Sequence, residues 1–195
     1  FKHLIVPSLS NHDDGVITPN LAPWLRHFKG RYEVDENKLP NRKIYISRQG
    51  SLTRNVVNHD KLLLALKGWE TVSLEKISIA EQIKLFSQAS HVLAPHGAGL
   101  INLLWCRPGT KVVELQAVWG WSGKQNSRDT VLKKVYPVLS HTLKLKHKVI
   151  ISVAHHDFKI HGEGRFTGNK PAGVKRKNDM FGFKVNIQDL IKNLD

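Results

Sequence analysis

The stretch Val92-Leu-Ala-Pro-His-Gly-Ala-Gly-Leu-Ile-Asn-Leu-Leu-Trp-Cys-Arg-Pro-Gly-Thr-Lys-Val-Val-Glu114 decides how this chain folds. It begins as a buried apolar strand, passes through a turn of small residues, continues as a short helix and ends in a second strand that closes on an acid. His96, Gly97, Ala98 and Gly99 give the turn little side-chain bulk, so its backbone N–H groups can come close to a ligand. The following helix aims its positive end at the same point, which suits a phosphate or diphosphate. Glu114, at the end of the next parallel strand, would lie near that crevice and could accept hydrogen bonds from a ribose. An ordinary strand-to-helix turn, with glycine used only for tight packing, explains the local pattern equally well.

Outward from this segment, strands and helices alternate. Strands are predicted at His3–Val6, Lys43–Ser47, Trp69–Leu74, His91–Ala94, Lys111–Leu115 and Lys148–Val153. A short helix is expected at Leu21–Phe28. Another starts near Asn58, a candidate N-cap with Asp60 in its first turn, and stops at Gly68. Ser78-Ile-Ala-Glu81 is a capping-box pattern opening a helix that places Ile79, Ile83 and Phe86 on one face. A helical pattern covers Arg128 to Leu145 with Pro137 as a break, and Gln188–Leu194 reads as a final short helix. The fold class is therefore α/β: a Rossmann-like parallel sheet with helices on both faces. Right-handed crossovers put every strand's carboxyl end on one edge, where Arg48, the His96–Gly99 turn and Glu114 can gather.

At 195 residues the chain is long enough for one core. Residues 1–155 read as the Rossmann-like domain, and 156–195 as a polar loop and terminal helix packed on it. The net charge of +14 favours anionic partners. A basic module binding nucleic acid without sequence preference is one reading, although no recognition helix, zinc pattern or aromatic RNA-binding signature is present. The densest basic cluster, Lys175-Arg176-Lys177, lies in a Gly- and Asn-rich stretch, Gly162 to Asp179, that reads as a loop. The single Cys106 excludes an internal disulfide and is expected in the core. No run of eighteen apolar residues exists, so no spanning helix is expected. The chain starts at Phe1, inside an apolar run, which reads as a piece of a longer protein.

The order Ile-Ser-Arg48, Arg54, Asn58, Ala-Glu81-Gln82-Ile, Phe86, Ala89, Pro95-His-Gly-Ala-Gly-Leu-Ile-Asn102, Pro-Gly109 and Val-Val-Glu114-Leu resembles glycosyltransferase family 61. The likeness runs from about His3 to Leu115 and more weakly to Val153; after Asp157 the chain departs from the pattern. That family includes bacterial capsular-polysaccharide enzymes, plant xylan-decorating transferases and enzymes adding N-acetylglucosamine to extracellular protein domains. The resemblance implies one half of a GT-B glycosyltransferase, the C-terminal half that holds the nucleotide sugar, with an N-terminal acceptor domain upstream. It implies inverting, metal-independent transfer from a nucleotide sugar, a uridine diphosphate sugar by analogy, to a glycan or protein acceptor, with no further cofactor. A fragment that binds nucleotide without catalysis is the lesser variant. A bacterial cytosol is the expected setting, with the Golgi or ER lumen as the alternative.

Transfer from a nucleoside diphosphate requires the departing diphosphate to be stabilised as its charge grows. Arg48 is the leading residue, because a guanidinium can grip two phosphate oxygens at once. Arg54 is second, although a loop charge in water is nearly as good an account. The amides of Gly97, Ala98 and Gly99 would hold the β-phosphate, and His96 would bond phosphate or brace the turn. Asn102 fits a cap or loop bond better than the nucleotide, Glu81 fits the capping box, and Glu114 is assigned to the ribose. The general base is not evident: His12, Asp13 and Asp14 are weak candidates, since turn formation explains them better. Trp119 and Trp121 could stack on a base or sugar, with core packing equally fitting. His155, His156, Asp157 and His161 have loosely ligand-like spacing but no helix to align them, so no metal site is expected.

Overall fold

The computed structural model describes residues 39–51, 54–119, 135–154 and 182–194. Strand β1 spans Arg42–Ile46, β2 Glu70–Val72, β3 Ala89–Pro95, β4 Lys111–Trp119 and β5 Lys146–Ala154. All pair in parallel, in the order β2-β1-β3-β4-β5. Four α-helices are described: α1 at His59–Ala65, α2 at Ile79–Ser87, α3 at Val135–Thr142 and α4 at Ile187–Asn193. Two 3₁₀ segments, Leu74–Lys76 and Ala98–Trp105, complete the connections. No helix among the described residues is long and apolar enough to cross a membrane.

The sheet is parallel because its strands carry hydrocarbon on both faces, and helices cover both. Successive residues of a strand point to opposite sides. Ile44, Ile46, Val92, Ala94 and Val112 enter a core with Phe86 of α2, Leu100 and Leu103 of the second 3₁₀ segment and Leu139 of α3. Tyr45, Leu93, Val113 and Leu115 enter the other, with Leu62 of α1, Phe183 and Leu190 of α4. The fold is thus α/β and Rossmann-like. From β1 the chain steps outward to β2, then returns to β3 on the other side of β1. That reversal opens a crevice between the carboxyl ends of β1 and β3, where open α/β sheets place their ligands.

Local chemistry accounts for several boundaries. The capping box at Ser78 forms in both directions: the Glu81 N–H donates to the Ser78 hydroxyl, and the Glu81 carboxylate accepts from the Ser78 N–H at 2.7 Å. Ile79 departs from the expected apolar stripe of α2 and is 74% exposed, leaving Ile83, Leu85 and Phe86 to face the core. Asn58 does not cap α1 with its side chain. Its amide instead exchanges two hydrogen bonds with the backbone of Val185, at 2.8 and 2.9 Å, and so ties the C-terminal segment to the sheet. Pro137 lies near the start of α3 as described, at a position where a missing N–H is tolerated, and the stretch before Val135 lies outside the described residues. Cys106 is fully buried, as expected.

The main departure from expectation is the length of β4. It runs four residues beyond Leu115, and Glu114 pairs with Ala94 well inside the sheet instead of ending a strand. Expectations for His3–Val6, Leu21–Phe28, Trp121, the 155–161 histidine cluster, and the loop holding Lys175, Arg176 and Lys177 lie outside the described residues.

Candidate functional site

Arg48 lies two residues past β1, and His96 is the first residue past β3, so both flank the crevice at the switch point. Gly97 is where they meet. A Cβ placed on Gly97 would lie 3.1 Å from Nη1 of Arg48 and 3.4 Å from Nη1 of Arg54. The backbone of Gly97 is extended, with φ of 168°, so glycine is needed here for room and not for its dihedral freedom. Arg54 reaches the turn from a left-handed backbone, φ of 59°, a conformation that costs a side-chain-bearing residue about 1–2 kcal/mol. Its Nη1 donates to the His96 carbonyl at 2.7 Å, while its buried Nε has no hydrogen-bond partner. Burial holds the Arg48 pKa below the usual guanidinium range, and the like charge of Arg54 adds to this; Glu75 pulls the other way. Two like-charged guanidiniums are thus held against one glycine.

The turn itself divides the work of its residues. The His96 N–H continues the sheet, donating to Leu115 at 2.9 Å. Among the described residues, the N–H groups of Gly97, Ala98 and Gly99 donate to no backbone carbonyl, as the first N–H groups of a helical segment must. Ala98 is exposed, and Gly97 is covered by the two guanidiniums. Gly99 serves packing: a Cβ there would stand 2.9 Å from Cδ1 of Leu74. Asn102 also has a structural part. Its amide donates to Gln82 of α2 at 2.9 Å and to the Gly99 carbonyl at 3.2 Å, locking the turn onto that helix.

Glu114 does something other than the expected contact with a ribose. It is 0% exposed, because its place is inside β4 and not at the rim. One carboxylate oxygen is bonded by Nδ1 of His96 and by the Gln116 amide at 3.1 Å. The other is bonded by Nε2 of His147 at 3.0 Å, and Nδ1 of that ring meets the Ser140 hydroxyl at 2.7 Å. Burial pushes the carboxyl pKa up, but the hydrogen bonds from His147 and His96 oppose it and leave it below the usual value. The His96 ring also packs on Tyr136 of α3, with centroids 5.3 Å apart. Burial, then the Glu114 charge, holds the Tyr136 hydroxyl above its usual range, against the opposing pull of Arg54.

His147, Ser140 and Tyr136 were not singled out by sequence. The signal for His147 was its parity: it pairs with Val112, which shares a sheet face with Glu114. An expected strand start at Lys148 hid it. Ser140 and Tyr136 lie in α3, inside the helical pattern expected over Arg128 to Leu145, of which residues 128–134 lie outside the described residues. The base candidates His12, Asp13 and Asp14 lie outside the described residues, as does the Trp119 side chain.

Residues 1–113 match the family model described as glycosyltransferase 61. Among individual proteins, the chain is similar to protein O-linked-mannose beta-1,4-N-acetylglucosaminyltransferase 2 of Xenopus tropicalis, 37% identical over 102 residues, 47% of this chain and 17% of that protein. The Xenopus laevis protein of the same name is 35% identical over 102 residues, covering the same shares. The one from Takifugu rubripes is 35% identical over 85 residues, 41% of this chain and 14% of its length. The matched segment thus spans only about a sixth of these relatives.

Proposed function

This chain belongs to glycosyltransferase family 61, and on that premise we propose that it binds a nucleotide sugar, with uridine diphosphate as the carrier, and passes the sugar to a hydroxyl acceptor. The carrying observation is the convergence of two guanidiniums on Gly97 at the switch point of the sheet. In the proposed reaction the acceptor oxygen attacks the anomeric carbon from the face opposite the diphosphate, so configuration inverts. The bond from that carbon to the β-phosphate oxygen breaks, and the electron pair stays on the oxygen. Arg48, one N–H edge of Arg54 and the amides of Ala98 and its neighbours stabilise that charge without a metal ion. In this proposal the sheet is the donor half of a GT-B enzyme. The acceptor side and the base lie elsewhere, with His12, Asp13 and Asp14 retained as weak candidates.

The relatives' printed name makes N-acetylglucosamine the first donor sugar to assay and protein-linked mannose the first acceptor. Animal relatives also favour the Golgi or ER lumen over a bacterial cytosol as the setting, and a glycoprotein acceptor over a capsule. Calorimetric titration with uridine diphosphate tests the reading. Saturable binding, unaffected by a chelator and weakened in Arg48→Ala, is expected; a wild-type protein indifferent to the ligand would overturn it. The +14 charge favours the rival reading of non-specific nucleic-acid binding, which predicts gel shifts on arbitrary DNA that collapse as salt rises.

A further inference from the structure

We infer that Ser140, His147 and Glu114 act in series as positioning residues for His96, holding its ring so that Nε2 donates a hydrogen bond to the departing diphosphate. The inference rests on the nucleotide-sugar reading above. A carboxylate only accepts, so each ring nitrogen facing Glu114 carries a hydrogen: Nδ1 of His96 and Nε2 of His147. The Ser140 hydroxyl then donates to Nδ1 of His147, and that imidazole is satisfied while neutral. A fully buried carboxylate needs a counter-charge. The ring left to supply it is His96, doubly protonated, with its second hydrogen on Nε2.

The relay opens outward at His96, whose side chain is 14% exposed, against 6% for His147 and 0% for Glu114. Among the described residues, the charged and titratable groups near the ring and its turn are Arg48, against Gly97, Arg54, bonded to the His96 carbonyl, Tyr136 from α3, and Glu114 and His147 from β4 and β5. The two arginines oppose a third positive charge at the turn. Glu114 offsets it from beneath, and the diphosphate would offset it from above. When the anomeric bond breaks, the β-phosphate oxygen keeps the pair and accepts a hydrogen bond from Nε2; His96 forms no covalent bond. The acceptor enters from the opposite face, so a histidine beside the phosphate cradle serves the leaving group and not the acceptor's proton.

Two measurements on the whole protein test this. Nitrogen-15 spectra of the histidine rings, in the uridine diphosphate complex at neutral pH, should show His96 protonated on both nitrogens and His147 on Nε2 alone. A neutral His96 in that complex would overturn the relay. Calorimetry should show Glu114→Gln weakening uridine diphosphate about tenfold or more, although Glu114 does not reach the ligand; a charge-assisted hydrogen bond is worth that much. His147→Leu should weaken it less, and His147→Gln, which keeps an N–H on Glu114, should restore it. In a His96→Gln background, Glu114→Gln should have no further effect, because it acts through His96. Additive losses would instead assign Glu114 a general structural part and overturn the proposal. If Glu114→Gln fails to fold, the wild-type spectrum and the two His147 variants still decide the matter. Absence of any binding by wild type would overturn the nucleotide-sugar reading itself, a separate outcome.

Discussion

The two faces of β4 are built from neighbouring residues and have opposite chemistry. On one, Val113 and Leu115 join a hydrocarbon layer with Leu62, Leu93, Phe183 and Leu190. On the other, Val112 is followed by Glu114 and Gln116, both buried, and by the histidines that hold the carboxylate. A buried carboxylate gives a sheet no stability that a leucine would not give more cheaply, yet losing one of its partners leaves a stranded charge. The first face therefore explains why the chain folds. The second explains what the fold is holding in place, namely the ring of His96 beside Arg48 and Arg54.

The comparison breaks if the two faces respond alike to substitution. Glu114→Ala should have the largest effect, about 3–5 kcal/mol in urea unfolding, because two imidazoles lose their acceptor in the interior. It should also abolish measurable uridine diphosphate binding. Leu115→Ala, one residue along, should cost about 2–5 kcal/mol through cavity formation, with the affinity of the folded fraction unchanged. A loss of affinity there would mean that the faces are not separable. Arg48→Ala should weaken uridine diphosphate about 10–100-fold, the worth of a charged hydrogen bond, with a much smaller shift in the urea midpoint.

Acid sharpens the contrast. The folded Glu114 carboxyl titrates below its ordinary value of 4.5, so its share of stability is fully present above that pH. It drains away as pH falls through the lower folded value. The stability gap between wild type and Glu114→Gln should therefore narrow as pH falls below 4.5, whereas the gap to Leu115→Ala should not track this titration. The smallest effects belong to the two glycines. Gly97→Ala pushes a methyl against the ends of two flexible arginines and should lower affinity a few-fold with little change in stability. Gly99→Ala crowds Leu74 and should cost about 1 kcal/mol of stability with affinity intact.

Much of this was legible in the sequence. The strand–turn–helix–strand reading of 92–114 placed β3, the turn and β4 correctly in kind, because apolar runs bounded by Gly and Pro leave few alternatives. Ser78 and Glu81 announced the start of α2 through side-chain chemistry local to four residues. What local chemistry could not reveal was where side chains meet after folding. Glu114 was read as a rim residue because its strand was expected to stop at Leu115, whereas in the sheet Gln116 is itself buried and the strand continues. The same limit applies to Asn58, a plausible cap by sequence whose amide is taken by Val185, 127 positions away. His147 and Ser140 became visible only when β5 was laid beside β4. They also lie beyond the residues matched by the family model.

A crystal structure of the protein with uridine diphosphate tests the central claim most directly. The account predicts the β-phosphate at the switch point of the sheet, within hydrogen-bond distance of Arg48 and of Nε2 of His96, with Glu114 still buried beneath that ring. A diphosphate bound away from Gly97, or a His96 ring turned from it toward the core, would contradict the account.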